Sequence, residues 1–192
     1  MSELKKHRHF ILHKPYGYLS QFIVNGKTKK RHKLLGELYD FPKGTMAIGR
    51  LDRDSEGLLL LTTDGKVSYE LLSNKFEKEY YVQIDGIITS KAIEQLKKGV
   101  EIGFEGKKYI TKPCNASIIE VPGHFPIEKR HVRDERHGPL SWASITLTEG
   151  KFRQVRKMTA AVGFPTLRLI RVRIGDIALE NESGEVSEVD FF

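Results

Sequence analysis

The chain of 192 residues contains a single cysteine, Cys114, which excludes an internal disulfide framework and a zinc site built on two cysteines. No apolar run approaches the roughly 20 residues that a membrane-spanning helix needs. The basic N-terminus lacks the apolar stretch and small-residue cleavage site of a secretory signal. The glycine-rich phosphate loops of NTPases and dinucleotide-binding folds are also missing. We therefore expect a cytoplasmic protein that has no membrane partner.

The charge is positive and unevenly distributed. Thirty-two Lys and Arg stand against 25 Asp and Glu, which gives a formal net charge of +7 and a pI near 9.4. Residues 1–33 carry nine bases and one acid, whereas residues 174–192 carry six acids and no base. Because phosphate neutralisation dominates affinity for nucleic acids, this pattern favours a polyanion bound by the first and middle parts of the chain. The basic run KTKKRHK (27–33) is equally compatible with a solvated surface.

Short runs typical of β-strands, separated by Gly and Pro, dominate the pattern. Strands are predicted at 8–14, 45–49, 57–63, 79–86, 115–121, 142–150 and 167–175. Helices are predicted at 65–74, 90–98 and 151–162. Since these elements do not alternate regularly, we predict an α+β fold with a mixed, largely antiparallel sheet. Residues 122–141 are expected to form one long charged loop.

Two neighbouring segments, the helix at 151–162 and the strand at 167–175, concentrate positive charge. The apolar arc of the helix consists of Phe152, Val155, Met158, Thr159 and Val162, and the neighbouring arc carries Arg153, Arg156 and Lys157. The strand nearly alternates Leu167, Leu169 and Val172 with Arg168, Arg171 and Arg173, so it is predicted to bury one side and expose the arginines. Together they predict a phosphate-binding surface, with ordinary helix solubilisation as the alternative.

The densest candidate for chemistry is IGRLDRDSEGLLLLTTDG (48–65). Here Asp52 lies in a charged turn between a strand and a wholly apolar run, where a side chain projects from a rigid support. The neighbouring Arg50 and Arg53 favour its ionised form. The alternative is a β-turn that uses Asp and Ser for backbone hydrogen bonds. Asp52 and Asp54 could also ligate Mg²⁺, but no carboxylate cluster elsewhere completes such a site.

The segment KEYYV (78–82) places two aromatic rings side by side in a predicted strand. Tyr80 and Tyr81 must point to opposite faces, so one is expected in the core while the other is free to stack on a base. Cys114 has no neighbouring motif of a nucleophile and is interpreted as a buried structural thiol.

Four motifs, taken in order along the chain, resemble those of the pseudouridine synthases of the small- and large-subunit rRNA group. The motifs are HKPYGYLSQF (13–22), GRLDRDSEGLLLLTTDG (49–65), KEYYV (78–82) and EGKFRQVRKMTAAVGFPTLRLIRVRIG (149–175). Within this family, the stretch EVPGHFP…PLSW is most similar to the E group of the large-subunit enzymes. The resemblance covers almost the whole chain.

The resemblance implies specific roles for individual residues. Asp52 matches the catalytic aspartate, which attacks the target nucleotide or assists the departure of its base. Tyr80 matches the tyrosine that stacks on the uracil, which leaves Tyr81 as the core residue. Arg156 falls where the family has a Lys or Arg paired with the catalytic carboxylate, and Arg50 where an arginine holds the extruded nucleotide.

The resemblance also implies the reaction, which is isomerisation of a specific uridine of large-subunit rRNA to pseudouridine, together with the fold and the partners. It predicts one catalytic domain over 1–192, with two subdomains around an RNA-binding cleft, and no preceding S4 domain, since the first motif begins by residue 13. No cofactor and no metal are expected. The predicted partner of the monomer is large-subunit rRNA or a ribosomal precursor particle. The predicted RNA contacts are Lys29, Lys30, Arg31, Arg50, Arg53, Lys151, Arg153, Lys157, Arg168 and Arg171. The alternatives are a non-catalytic ribosome-assembly factor and a metal-dependent nuclease.

Overall fold

The computed structural model describes residues 7–24, 32–73, 76–121, 123, 125–126, 130, 132–133 and 135–192. Three predicted RNA contacts, Lys29, Lys30 and Arg31, lie outside the described residues. The chain divides into two compact units, one within 1–75 and 179–192 (unit 1) and the other within 76–178 (unit 2).

Strands outnumber helices in the described part of the chain. The strands are β1 (His9–Lys14), β2 (Tyr18–Leu19), β3 (Lys33–Leu34), β4 (Met46–Ile48), β5 (Glu56–Thr62), β6 (Lys78–Asp85), β7 (Glu101–Phe104), β8 (Lys107–Ile110), β9 (Asn115–Ile119), β10 (Leu140–Leu147), β11 (Thr166–Ile174), β12 (Ile177–Ala178) and β13 (Val186–Val189). The α-helices are α1 (Gly65–Ser73), α2 (Ser90–Lys98) and α3 (Gln154–Ala161), and 3₁₀ turns lie at Leu35–Glu37 and Glu135–His137. The predicted α+β class with a largely antiparallel sheet is confirmed.

Unit 1 is built on four antiparallel strands in the order β13-β1-β5-β4. Every residue of β5 is buried, which the apolar run 58–61 predicts for the centre of the strand but not for Glu56 and Thr62 at its ends. Its core is a cluster of fully buried side chains, namely Phe10, Leu12, Leu35, Leu59 and Leu61. Burying each such side chain contributes about 1.5–3 kcal/mol, so this cluster gives the turn between β4 and β5 a rigid base.

Unit 2 contains four antiparallel strands in the order β11-β6-β10-β9, with β12 at the edge of β11. Helix α2 packs its buried face against β9. It begins where the Thr89 side chain accepts the Ala92 N–H at 3.2 Å and ends at Gly99. A Cβ at Gly99 would lie 2.2 Å from the Thr111 carbonyl oxygen, so this residue, with φ of +94°, must be glycine.

Helix α3 begins later than predicted, at Gln154 instead of residue 151. Residues 151–153 form a turn in which Arg153 has φ of +52°, a left-handed conformation that no residue inside a right-handed α-helix adopts, so the helix starts only after it. As a result Phe152 leaves the predicted apolar arc and is 66% exposed, whereas Val155 and Met158 remain buried.

The prediction that β11 exposes its arginines is wrong, because Arg168 and Arg171 are each only 4% exposed. Shifts in the β11–β6 register, between Thr166 and Arg168 and between Arg171 and Arg173, break the strict alternation. Arg173 is instead tied to unit 2 by ion pairs with Glu79 (3.0 Å) and Glu77 (3.3 Å). No helix in the described residues has both the length and the apolar character needed to cross a membrane.

Candidate active site

Asp52 lies in the short connection between β4 and β5 of unit 1. The turn is closed by the Ser55 N–H, which donates to the Asp52 carbonyl oxygen at 3.0 Å. Asp52 is half-buried, and Leu51 before it is buried. The β-turn proposed as the alternative therefore exists, but it does not compete with a chemical role, because it uses the backbone oxygen of Asp52.

The backbone on both sides of Asp52 is held by the segment 17–20. The Leu51 N–H donates to Ser20 Oγ (3.0 Å), and the Ser20 hydroxyl donates to the Leu51 carbonyl oxygen (2.8 Å). On the other side, the Gly17 N–H donates to the Arg53 carbonyl oxygen (2.8 Å). These contacts give the motif at 13–22 a physical purpose, which is to fix the turn that carries Asp52.

A buried lysine, Lys14, holds the backbone of the segment that contacts the Asp52 turn. Lys14 is fully buried at the end of β1, and its Nζ donates to the carbonyl oxygens of Pro15 (2.9 Å) and Tyr18 (2.7 Å). A buried ammonium group is tolerated only when it is hydrogen-bonded, so these carbonyl groups are held in place around it. The chain between them carries Gly17, which contacts Arg53. Sequence reasoning missed this role of Lys14, because a lysine in a basic N-terminal region predicts a surface charge.

We expect Ser20→Ala to destabilise unit 1 by about 1–3 kcal/mol, because the change leaves the buried Leu51 N–H and carbonyl without their partner. Urea unfolding measures the change in the free energy of unfolding. The matched control is Ser117→Ala on β9, where the serine is exposed and the expected change is within about 0.5 kcal/mol. Equal stability of the two variants would show that the Ser20 contacts do not hold the turn.

The two arginines next to Asp52 differ in their contacts. Arg50 and Arg53 are both exposed. Arg53 Nε donates to the Gly17 carbonyl oxygen at 3.3 Å, so Arg53 adds to the contact between the turn and segment 17–20. The exposed Arg50 has its guanidinium at the surface of unit 1, where a ligand can reach it.

The two tyrosines of β6 face opposite sides of the strand, as predicted. However, the prediction that Tyr81 is the core residue is wrong. Tyr80 is 9% exposed and shares its face with the fully buried Val82 and Ile84, whereas Tyr81 is half-buried with its ring centroid 5.0 Å from that of Phe125. Burial, and secondarily the charge of Glu79, raise the pKa of the Tyr81 hydroxyl. Tyr80 lies on the more apolar face of the strand, which is why it is the better shielded of the two.

Arg156 is half-buried on α3 of unit 2. Its Nη1 lies 3.5 Å from the Thr166 carbonyl oxygen at the start of β11. The Thr159 and Thr166 hydroxyls are hydrogen-bonded at 2.7 Å, which ties the helix to the same strand. The position of Arg156 in unit 2 is therefore set by contacts between α3 and β11.

Glu149 fixes the loop that leads into α3, although no motif in the sequence indicates this role. Glu149 accepts hydrogen bonds from the Tyr109 hydroxyl, the Lys112 N–H (2.9 Å) and Gln154 Nε2 (2.7 Å). Burial alone would raise its pKa, but these three hydrogen bonds outweigh burial, and the pKa of Glu149 lies below its ordinary value of 4.5. Glu149 thus joins the end of β8 to the start of α3. Two of its three hydrogen-bond partners, Tyr109 and Lys112, lie 40 and 37 residues away in sequence. No local sequence pattern could therefore have predicted the role of Glu149.

We expect Glu149→Gln to lower the stability of the protein by about 1 kcal/mol or more at neutral pH, because the ionised carboxylate is the stronger acceptor. A carboxylate with a lowered pKa contributes stability above its unfolded pKa and loses this contribution as the pH falls through its folded pKa. The difference between wild type and variant should therefore be full above pH 4.5 and shrink below it. Urea unfolding across this range measures it, and the same change at exposed Glu120 controls for the substitution. A difference that is independent of pH would contradict this role.

The other basic candidates lie close together on unit 2. Lys151, Arg153 and Lys157 are half-buried around the start of α3 in unit 2.

Among the residues that the structure describes, no group of three His, Cys, Asp or Glu side chains could hold a metal ion. Cys114 donates from Sγ to the Leu96 carbonyl oxygen at 3.2 Å, and burial, with a smaller contribution from Glu149, raises the pKa of the thiol to about 11. It is therefore a thiol at neutral pH and a poor nucleophile.

Comparison with known proteins adds independent information. The family model described as RNA pseudouridylate synthase matches residues 8–161. Ribosomal large subunit pseudouridine synthase E of Vibrio parahaemolyticus is 41% identical over 194 residues, which cover 97% of this chain and 76% of that protein. The protein of the same name from Xanthomonas axonopodis pv. citri is 41% identical, with 88% and 87% covered. A crystal structure of a pseudouridylate synthase aligns with a TM-score of 0.74 at 26% identity and covers 98% of this chain and 73% of that one.

Proposed function

The chain belongs to the RNA pseudouridylate synthase family, and on this premise we propose that it isomerises a specific uridine of large-subunit rRNA to pseudouridine. The family resemblance of the four motifs is confirmed. The observation that carries the choice of substrate is the 41% identity, over nearly the whole chain, to relatives named for the large ribosomal subunit. We propose that the substrate is this rRNA or a ribosomal precursor particle, met in the cytoplasm by a monomer of the enzyme.

The reaction breaks the N1–C1′ glycosidic bond, turns the uracil and forms a C5–C1′ bond. The hydrogen on C5 is lost and N1 gains a proton, so atoms and electrons balance without an external oxidant, reductant or group donor. We assign the central role to Asp52, whose ionised carboxylate adds to the sugar or base or accepts a proton. The doubly anchored turn supports this assignment, because a catalytic group needs its backbone held on both sides.

The target uridine must leave its stack to reach a carboxylate on the protein, which costs a few kcal/mol. We propose that Tyr80, which is 9% exposed, offsets this cost by stacking the accessible part of its ring on the uracil. We also propose that the exposed Arg50 holds the extruded nucleotide. Arg156 is proposed to pair with Asp52, which orients the carboxylate toward the reacting nucleotide.

RNA capture outside the site is assigned to basic side chains. The proposed contacts are Lys29, Lys30, Arg31, Arg53, Lys151, Arg153 and Lys157. Arg168 and Arg171 drop out of this set, because side chains that are 4% exposed offer little surface to phosphates.

The experiment that tests the proposal is release of tritium from large-subunit rRNA whose uridines carry tritium at C5. Formation of the C5–C1′ bond displaces this hydrogen, so release by the purified protein, with no methyl donor present, reports the isomerisation. Wild type should release tritium with EDTA present throughout. No release from naked rRNA and from ribosomal particles alike would move the protein to the class of non-catalytic RNA-binding factors.

A further inference from the structure

A surface of mixed basic and aromatic character lies on unit 2. It surrounds the start of α3 and the hairpin in which β7 and β8 pair antiparallel. We call it the hairpin–α3 surface, and it consists of Phe104, Tyr109, Lys151, Phe152 and Lys157. Phe152 is 66% exposed, an exposure that Tyr69 (73%) and Phe191 (80%) exceed, so the lysine over its ring and not exposure alone points to a ligand. No role assigned above makes use of its ring.

The backbone that presents Phe152 is held firmly. The Lys151 N–H donates to Gln154 Oε1 (3.0 Å), and the Gln154 N–H donates to the Lys151 carbonyl oxygen (3.1 Å), so Phe152 lies inside a closed turn. Gln154 is 4% exposed and is itself bound to Glu149. Arg153, with φ of +52°, adopts a conformation that costs a non-glycine residue about 1 kcal/mol or more. The fold therefore tolerates local strain in a fixed turn that directs an aromatic ring to solvent.

Cations lie over the aromatic rings of this surface. Lys157 Nζ is 5.4 Å from the centroid of the Phe152 ring and donates to the Gly103 carbonyl oxygen (2.8 Å), which links α3 to β7. Lys151 Nζ lies 4.7 Å from the Phe104 ring and 4.9 Å from the Tyr109 ring. Residues 150–157 contain four basic residues and no acid. A matching partner therefore carries a negative charge for the lysine and a flat apolar group for the ring, separated by about as much as Lys157 Nζ and the Phe152 ring.

Single-stranded RNA has this combination, since its phosphates alternate with bases whose π-faces are open to stacking. We propose that the hairpin–α3 surface is a second RNA contact of this protein, in which Phe152 stacks on an unpaired base and Lys157 binds the neighbouring phosphate. The proposal rests on the proposed function insofar as it takes RNA as the substrate. It assigns to Phe152 a role in binding, not in the chemical step.

The test compares binding of two fluorescein-labelled probes, an oligouridine of about 12 nucleotides and an RNA duplex of similar length. Phe152→Leu is expected to weaken binding of the oligouridine about tenfold while duplex binding changes little, because paired bases offer no free face for stacking. Phe152→Trp should bind the oligouridine as wild type does. Phe191→Leu is the matched control, because Phe191 is an exposed aromatic residue (80%) in the acidic C-terminal segment.

Lys157→Ala gives a separate measurement, because loss of one phosphate contact should reduce the slope of log Kd against log salt by about 1. Unchanged oligouridine binding by Phe152→Leu, or an equal loss for oligouridine and duplex, would overturn the proposal. These outcomes are distinct from failure of the proposed function. A wild type that releases tritium while Phe152→Leu binds normally refutes only the second contact, and the reverse pattern refutes only the isomerase assignment.

Discussion

Asp52→Asn is expected to lower pseudouridine formation at least about a thousandfold while binding of large-subunit rRNA is nearly retained. Asparagine has almost the shape of aspartate, and the turn that holds residue 52 uses its backbone carbonyl and the backbone of Leu51 and Arg53. The substitution therefore removes the ionised carboxylate without removing any of these contacts. Tritium release measures the reaction, and fluorescence anisotropy with labelled rRNA measures binding.

The matched control is Asp54→Asn, which removes a half-buried carboxylate from the same turn. It should retain most of the activity, because only Asp52 is assigned to the reaction. If both variants lost activity equally and wild type lost it in EDTA, a metal held by the two carboxylates would replace the proposed mechanism. If Asp52→Asn kept its activity, the carboxylate would have no part in the chemistry. Thermal unfolding of each variant separates a loss of chemistry from a loss of fold.

The turn that carries Asp52 could be predicted from sequence because each of its determinants is local. The 18 residues 48–65 contain all of them: the end of a strand near Gly49, the charged residues of the turn, and the apolar run that forms the centre of the buried strand β5. The same holds for α2, where Thr89 and Gly99 bound the helix. Local capping and turn chemistry agree with the tertiary structure at these positions, so the interpretation of the sequence holds.

Features that depend on the partner of a residue could not be predicted. The alternation in β11 favours exposed arginines, but its two register shifts and the packing of the strand bury Arg168 and Arg171. The pattern around KEYYV shows that its tyrosines diverge, but only the neighbours in the folded sheet decide that Tyr80 is the more buried ring. Glu149 is the clearest case, since two of its three hydrogen-bond partners come from the end of β8 and the residues after it.

Arg156→Ala is expected to reduce kcat about a hundredfold or more and to change the affinity for RNA far less. The reason is the proposed pairing of Arg156 with the Asp52 carboxylate, since loss of the guanidinium removes the group that orients this carboxylate but leaves the phosphate contacts in place. Single-turnover tritium release gives the rate of the chemical step, and anisotropy gives the Kd. Arg156→Lys should recover part of the rate, because lysine restores the charge without the planar, bidentate geometry of arginine.

Lys157→Ala supplies the contrast that makes the Arg156 result interpretable. The two residues are adjacent on α3, and both are half-buried and basic. Replacing either one by alanine therefore removes the same amount of positive charge from the same part of the surface. However, Lys157 is assigned to a phosphate and Arg156 to the carboxylate, so Lys157→Ala should weaken RNA binding with the chemical step preserved. A parallel loss of affinity and rate in both variants would mean that Arg156 is another RNA contact. A loss of rate in Arg156→Ala beside a loss of affinity in Lys157→Ala would instead show that one turn of α3 serves both binding and chemistry. The hydrogen bond between Gln154 and Glu149 fixes the start of this helix for both residues.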